Sequence, residues 1–255
     1  MKMNAISNIF AMMELELRRI RHDRTELYTR AIQPALWIVI FGPVMGALKA
    51  IPTGGIPYTD YMTPGIIVQS MTFVSIFYGL TMVWERESGI LKKLLVTPMS
   101  RYAIVVGRSM SSGLRSIFQL FIIVPIALVM GVRIIANPFW LLCAVALIFI
   151  ASGGFAATSV LIASFMKSRE RFMGIGQVIT MPLFFASNAL YPVDIMPPVL
   201  RELSAVNPMS YVVDAVRGLM ITGNLSQLPL DAAAIILFDV AMFILASISF
   251  KRIIE

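Results

Sequence analysis

A single cysteine, Cys143, and a single histidine, His22, are all that the 255 residues hold of those two types. One cysteine excludes an intrachain disulfide framework. A lone histidine among charged neighbours reads as a surface or headgroup contact, not as a base or metal ligand. Charge is scarce too: 14% of residues are charged and 58% hydrophobic, against about 25% and 45–50% in soluble domains. Such an apolar excess has to be covered by lipid. The phosphate-binding pattern G-x-x-x-x-G-K-[ST] is missing, so the chain lacks an ATP-hydrolysing loop of that kind. Nor does any serine, histidine and acid set assemble within the apolar stretches, which argues against an intramembrane protease.

What is present is apolar length. A bilayer crossing needs about 20 mostly apolar residues, and six stretches approach that length: 31–50, 61–83, 109–131, 139–166, 173–190 and 229–250. The fifth is short. Ahead of them, residues 1–30 space Ile6, Ile9, Phe10, Met13, Leu17, Ile20 and Leu27 at helical steps among arginines, the pattern of an amphipathic helix lying in the interface. Glu14 and Glu16 interrupt any secretory-signal core, leaving the first span as the insertion signal. The expected fold class is all-α: a polytopic membrane protein of six transmembrane helices, one domain over 1–255.

The net charge of +7 is positional and does not call for nucleic acid. With both termini cytoplasmic, the inner segments hold seventeen of the 21 basic residues, and only Lys49, Arg133, Arg201 and Arg217 fall outside. That asymmetry is the positive-inside rule.

Two connecting segments carry more than turn chemistry. The inner one, 84–101, alternates charged and apolar positions at helical spacing until Pro98 stops it. A rigid charged helix of this kind suits docking into a soluble partner. The outer one, 191–221, alternates proline breaks with short amphipathic pieces, as expected of short helices at the outer surface. Within the spans, Gly42 and Gly46 permit close approach or bending beside Pro43. Ser152, Gly153 and Gly154 read as close helix packing. Met181, Phe184, Phe185 and Asn188 are candidates for an apolar route or gate, since methionine and aromatic faces suit bulky lipophilic cargo. Arg115 is expected to snorkel inward. Asp239, in the middle of the last stretch, costs about 2.5–3.5 kcal/mol to insert, so a hydrogen bond or protonation is expected there.

The run Glu85, Arg86, Glu87, Gly89, Leu91, Leu94, Leu95, Thr97, Pro98 and Ser100 resembles the pattern after the second span in type-2 membrane permeases of ATP-binding-cassette exporters. Tyr191, Pro192, Pro197, Leu200, Asn207, Pro208, Tyr211, Asp214 and Arg217 resemble the same family's segment ahead of the last span. The likeness covers nearly the whole chain and is greatest to the drug and lipo-oligosaccharide exporter branch. It implies two permease copies, usually identical, pairing with a separate ATP-binding-cassette ATPase that binds ATP and Mg; this chain itself would hold no cofactor and would not be an enzyme. It further implies that Glu85, Arg86, Gly89, Leu94, Thr97 and Pro98 couple to the motor, and that Pro197, Asn207, Pro208, Tyr211 and Arg217 shape the outer cap. A proton-coupled secondary transporter centred on Asp239 is the alternative.

Overall fold

A computed structural model describes residues 12–15, 17, 18, 20, 22, 24–88, 101–166 and 168–250. Among them the secondary structure is helical, with no strand. Five helical segments are long and apolar enough to cross a membrane.

The first crossing is built in three pieces: α1 (Arg24–Leu36), a wide π-helical turn (Trp37–Phe41) and α2 (Gly42–Leu48). Pro43 lacks an N–H and its ring would press on the carbonyl four residues back in a regular helix. The chain answers with the wider turn, in which the Gly42 N–H reaches the Trp37 carbonyl. Gly42 then lies against Thr59 and Met62 of the next helix, so the glycine–proline step here serves bending and a contact within the chain.

The helix α3 (Tyr58–Glu87) is the axis of the molecule: 78% of its most apolar window is buried, against 22% for the first and last crossings. Around it pack α4 (Arg101–Val129), α5 (Pro138–Phe165) and α6 (Arg169–Phe185). Asn137 starts α5 by accepting from the N–H groups of Phe139 and Trp140 at 3.0 and 3.4 Å, which satisfies donors that a helix start leaves orphaned. Ser168 does the same for α6 through the Arg171 N–H at 3.5 Å.

Lipid tails are as apolar as leucine, so association of these helices depends on close packing and hydrogen bonds more than on hydrophobic transfer. The buried run Ala151, Ser152, Gly153 and Gly154 of α5 supplies the close packing. A side chain at Gly154 would collide with the Asp239 carboxylate of α9 (Leu228–Ser249), and the Phe155 and Phe238 rings meet beside it at 5.1 Å.

The fifth apolar stretch departs from a simple span. With 17 residues, α6 rises about 26 Å, short of the roughly 30 Å hydrocarbon core. The chain then turns at 186–190 and runs through a 3₁₀ turn (Val193–Ile195), α7 (Pro198–Val206), α8 (Pro208–Arg217) and a second π-helical turn (Gly218–Thr222) before α9 begins. The short helices expected over 191–221 are present, and α8 is deeply buried against α3 and α9.

Candidate functional site

At one end of α3, charged side chains tie three helices together. Glu85, in its last turn, forms a buried ion pair with Arg108 of α4. Glu87 accepts from Arg169 of α6 at 2.6 Å, and that guanidinium also lies 5.7 Å from the Trp84 ring. Arg86 is half-buried between them. Sequence reasoning placed Glu85 on a docking surface. The structure turns its carboxylate inward, so in this conformation it braces the start of the connecting segment. Gly89, Leu94, Thr97 and Pro98 lie outside the described residues. Arg108 was missed as Glu85's partner; the available signal was one opposite charge within two turns of each end of the same loop.

Seven residues further along each helix, in antiparallel register, Arg115 meets Tyr78. Its guanidinium is 5.4 Å from that ring, and the residue is buried. The expectation that Arg115 snorkels to the interface is therefore corrected: α3 offers an aromatic face at that depth, and the cation stays against it.

Midway along α3 a cavity of about 140 Å³ opens between α1, α3, α6 and α8. Gln33, Gln69, Thr72, Gln177 and Thr180 give it polar walls, and Phe73, Met181, Phe184 and Met209 give it apolar ones. The Thr72 hydroxyl is buried with no hydrogen-bond partner. Of the four residues read as route or gate, Met181 and Phe184 line this cavity, Phe184 resting edge-on against Trp37 at 5.7 Å. Phe185 faces away and is exposed. Asn188 belongs to the turn beyond it.

Side chains from α3 and α8 hold that turn through several hydrogen bonds. A break in a helix at membrane depth frees carbonyl groups that lipid cannot satisfy, and here designated side chains take them up. Asn207 Nδ2 donates to the Leu183 and Ala186 carbonyls at 2.7 and 3.1 Å, while its Oδ1 caps α8 by accepting from the Met209 N–H at 3.0 Å. Arg217 donates to the carbonyls of Asn188 (2.7 Å) and Tyr61 (3.2 Å) and to the Asp214 carboxylate (3.1 Å). The hydroxyls of Tyr61 and Tyr58 donate to the Asn188 and Leu190 carbonyls at 3.2 and 3.1 Å. Gly65 completes the fit, since a Cβ there would stand 2.5 Å from the Ala189 carbonyl oxygen. Burial pushes the Arg217 guanidinium below its usual range, and Tyr61 and Asp214 hold it up.

The cap residues named from the sequence thus divide. Asn207 and Arg217 fasten the turn, Pro208 is the first residue of α8, Pro197 precedes α7, and Tyr211 donates to the Ala205 carbonyl at 2.5 Å. Tyr58 and Tyr61 were missed. Two phenol groups three residues apart in the first turn of a span, where a polar tip needs a partner, were the signal.

Asp239 is buried, and neither carboxylate oxygen has a hydrogen-bond partner. Of the two outcomes expected from the sequence, a hydrogen bond or protonation, the hydrogen bond is not found among the described residues. The other two singled-out residues are unremarkable: Cys143 packs beside the core, and His22 is exposed.

A bundle of long apolar helices around a small polar cavity, with a charge-braced connection at one end and a bonded re-entrant cap at the other, defines a multi-pass membrane protein of the transport class. The pattern of the ABC-2 type transporter family matches residues 7–221, and the chain belongs to that family. It is a membrane subunit of an ABC transporter, of the kind that works with a separate ATP-binding subunit and is not itself an enzyme. It is 27% identical to a putative transport permease of Cyanophora paradoxa over 98% of this chain and 90% of that one. Nodulation protein J of Rhizobium leguminosarum bv. viciae is 23% identical over 84% and 83%. A probable doxorubicin resistance ABC transporter permease protein of Mycobacterium tuberculosis is 24% identical over 81% and 74%.

Proposed function

We propose that two copies of this chain form the export route of a transporter in the cytoplasmic membrane, driven by ATP hydrolysis in a separate nucleotide-binding subunit that holds ATP and Mg. Its cargo is amphipathic: drug-like, lipid-linked or glycosylated, in keeping with the doxorubicin-resistance and nodulation relatives. The chain acts as a single permease domain with both termini cytoplasmic. In this reading α6, completed by the turn at 186–190, serves as the fifth crossing and α9 as the sixth, and α7 and α8 form the outer cap.

The observation that carries the reading is the Glu85–Arg108 pair at the root of the segment 89–100. A buried ion pair is held at a desolvation cost. It stiffens the join between α3 and α4, where a lever has to pass movement from a docked motor into the bundle. Gly89, Leu94, Thr97 and Pro98 form the docking element itself, and Glu85 acts through its hold on Arg108. The cavity lined by Met181 and Phe184, midway along α3, gives the route its depth.

The test is co-expression with a candidate phosphate-loop ATPase, sought first in the adjacent reading frames, followed by co-purification and measurement of substrate-stimulated ATP hydrolysis. Leu94→Pro should abolish the complex. Glu85→Ala should leave some complex but weaken stimulation at least tenfold. An unchanged complex with full stimulation in both variants would overturn the assignment.

A further inference from the structure

Two helices each turn one stripe of side chains toward the cavity midway along α3. Gln69, Thr72 and Phe73 come from one face of α3, and Gln177, Thr180, Met181 and Phe184 from one face of α6, at the three- and four-residue steps that stack side chains along a helix. Gln33 of α1 completes the polar wall. Three glutamines from three helices thus border one space, in a part of the chain where a polar group turned to lipid is costly.

The threonines contribute little to that wall. Thr180 donates to the Gly176 carbonyl of its own helix at 2.9 Å, and Thr72 is only 2% exposed. Gln69 is half-buried, whereas Gln33 and Gln177 are exposed, so the amides are the polar groups an incoming molecule can reach. Each carries one acceptor oxygen and two N–H donors.

Charge is missing from the wall. No acidic or basic residue lines the cavity among the described residues. Arg30, one turn before Gln33, is not part of the lining and has a partner of its own. A charged group would enter without a counter-charge, which costs far more than entry of a neutral group that exchanges its water for amide hydrogen bonds. Phe73, Met181, Phe184 and Met209 give apolar cover to the rest of an amphipathic molecule.

We propose that this cavity selects cargo by an uncharged headgroup that both donates and accepts hydrogen bonds, through hydroxyl or carboxamide groups, and excludes a charged one. Gln33, Gln69 and Gln177 are the selecting residues. The inference deepens the export reading and rests on it for the identity of the ligand as cargo.

The experiment measures equilibrium binding of radiolabelled octyl glucoside to the full chain in phosphatidylcholine nanodiscs, below the concentration that dissolves the discs and with binding to empty discs subtracted. Octyl glucoside should bind saturably. Octylammonium and octyl sulfate carry the same tail with a cationic or anionic head, and each should need at least about tenfold more to displace it. Gln33→Leu, Gln69→Leu and Gln177→Leu, which keep the side-chain size, should each weaken binding about fivefold, the loss expected for one or two neutral hydrogen bonds. If a variant does not fold, the comparison of heads on the unmodified chain still decides. Equal displacement by either charged head, binding unchanged in all three variants, or no saturable binding would each overturn the proposal; in the last case the glutamines would only join helix to helix. Binding needs no ATPase, so such a failure leaves the motor-coupling test standing, and a failed motor-coupling test leaves the binding result standing.

Discussion

The guanidinium of Arg217 lies 4.0 Å over the ring of Tyr61 and donates through Nε to the backbone carbonyl of the same residue at 3.2 Å. One residue thus meets the cation with both its face and its main chain. The pair locks α8 to the first turn of α3, 156 positions apart in the chain. Because Arg217 also holds the Asn188 carbonyl, its loss would strip three acceptors at once.

The first prediction follows from that geometry. Arg217→Ala should lower stability by about 2–4 kcal/mol, the range for losing charge-assisted bonds and leaving buried groups unpaired. Arg217→Lys should fall between it and the unmodified chain. A lysine keeps the charge but not the planar fork. Thermal unfolding in detergent checks this, and melting of Arg217→Ala at the temperature of the unmodified chain would refute it.

A second prediction concerns Asn207, which accepts at the start of α8 and donates to two carbonyls. Asparagine and aspartate are ordinarily equal helix caps. Here they should not be. Asn207→Asp keeps the cap yet points a carboxylate at the Leu183 and Ala186 carbonyl oxygens, so it should destabilise more than Asn207→Ser. Melting temperatures in the opposite order would show that the donor side of Asn207 contributes nothing.

Much of this was legible in the sequence, for physical reasons. Long apolar stretches locate α3, α5 and α9 to within about four residues, because lipid demands unbroken apolar length, whereas α4 begins eight residues before its stretch, in a segment made polar by Arg101 and Arg108. Asn207 and Arg217 were read as cap residues. What they hold was not legible, because the carbonyls freed at 186–190 are main-chain groups that leave no mark on residue type. The short fifth stretch hinted at the break. Glu85 was read as a coupling residue, and its buried pairing with Arg108 was not legible, because helical spacing gives a face without saying what covers it. Arg115 was misplaced for the same reason, since Tyr78 becomes its neighbour only through the antiparallel register of α3 and α4.

The third prediction treats Glu85 and Arg108 as a unit. Removing either partner leaves a buried charge unpaired, which costs about 3–5 kcal/mol. Glu85→Ala and Arg108→Ala should each destabilise strongly, and the double variant should cost much less than their sum. A double-mutant cycle on unfolding free energy measures this. Additive losses would mean that the two side chains act separately.

The last prediction separates ATP-driven export from proton coupling. Asp239 stands against Gly154 in the α5–α9 contact, and its carboxylate oxygens have no partner. Asp239→Asn is nearly isosteric, so it fits the same space and removes only the ability to ionise. If the aspartate is a packing group tolerated in its slot, Asp239→Asn should change stability by less than about 1 kcal/mol, as expected where no bond is broken. Transport in proteoliposomes with ATP and the ATPase subunit should stay within about twofold and be indifferent to a protonophore, since each tenfold in rate is about 1.4 kcal/mol. Gly154→Leu should fail in the same assay because its side chain occupies the carboxylate's place. Transport that disappears in Asp239→Asn, collapses with the proton gradient and persists without the ATPase would establish the secondary-transporter alternative instead.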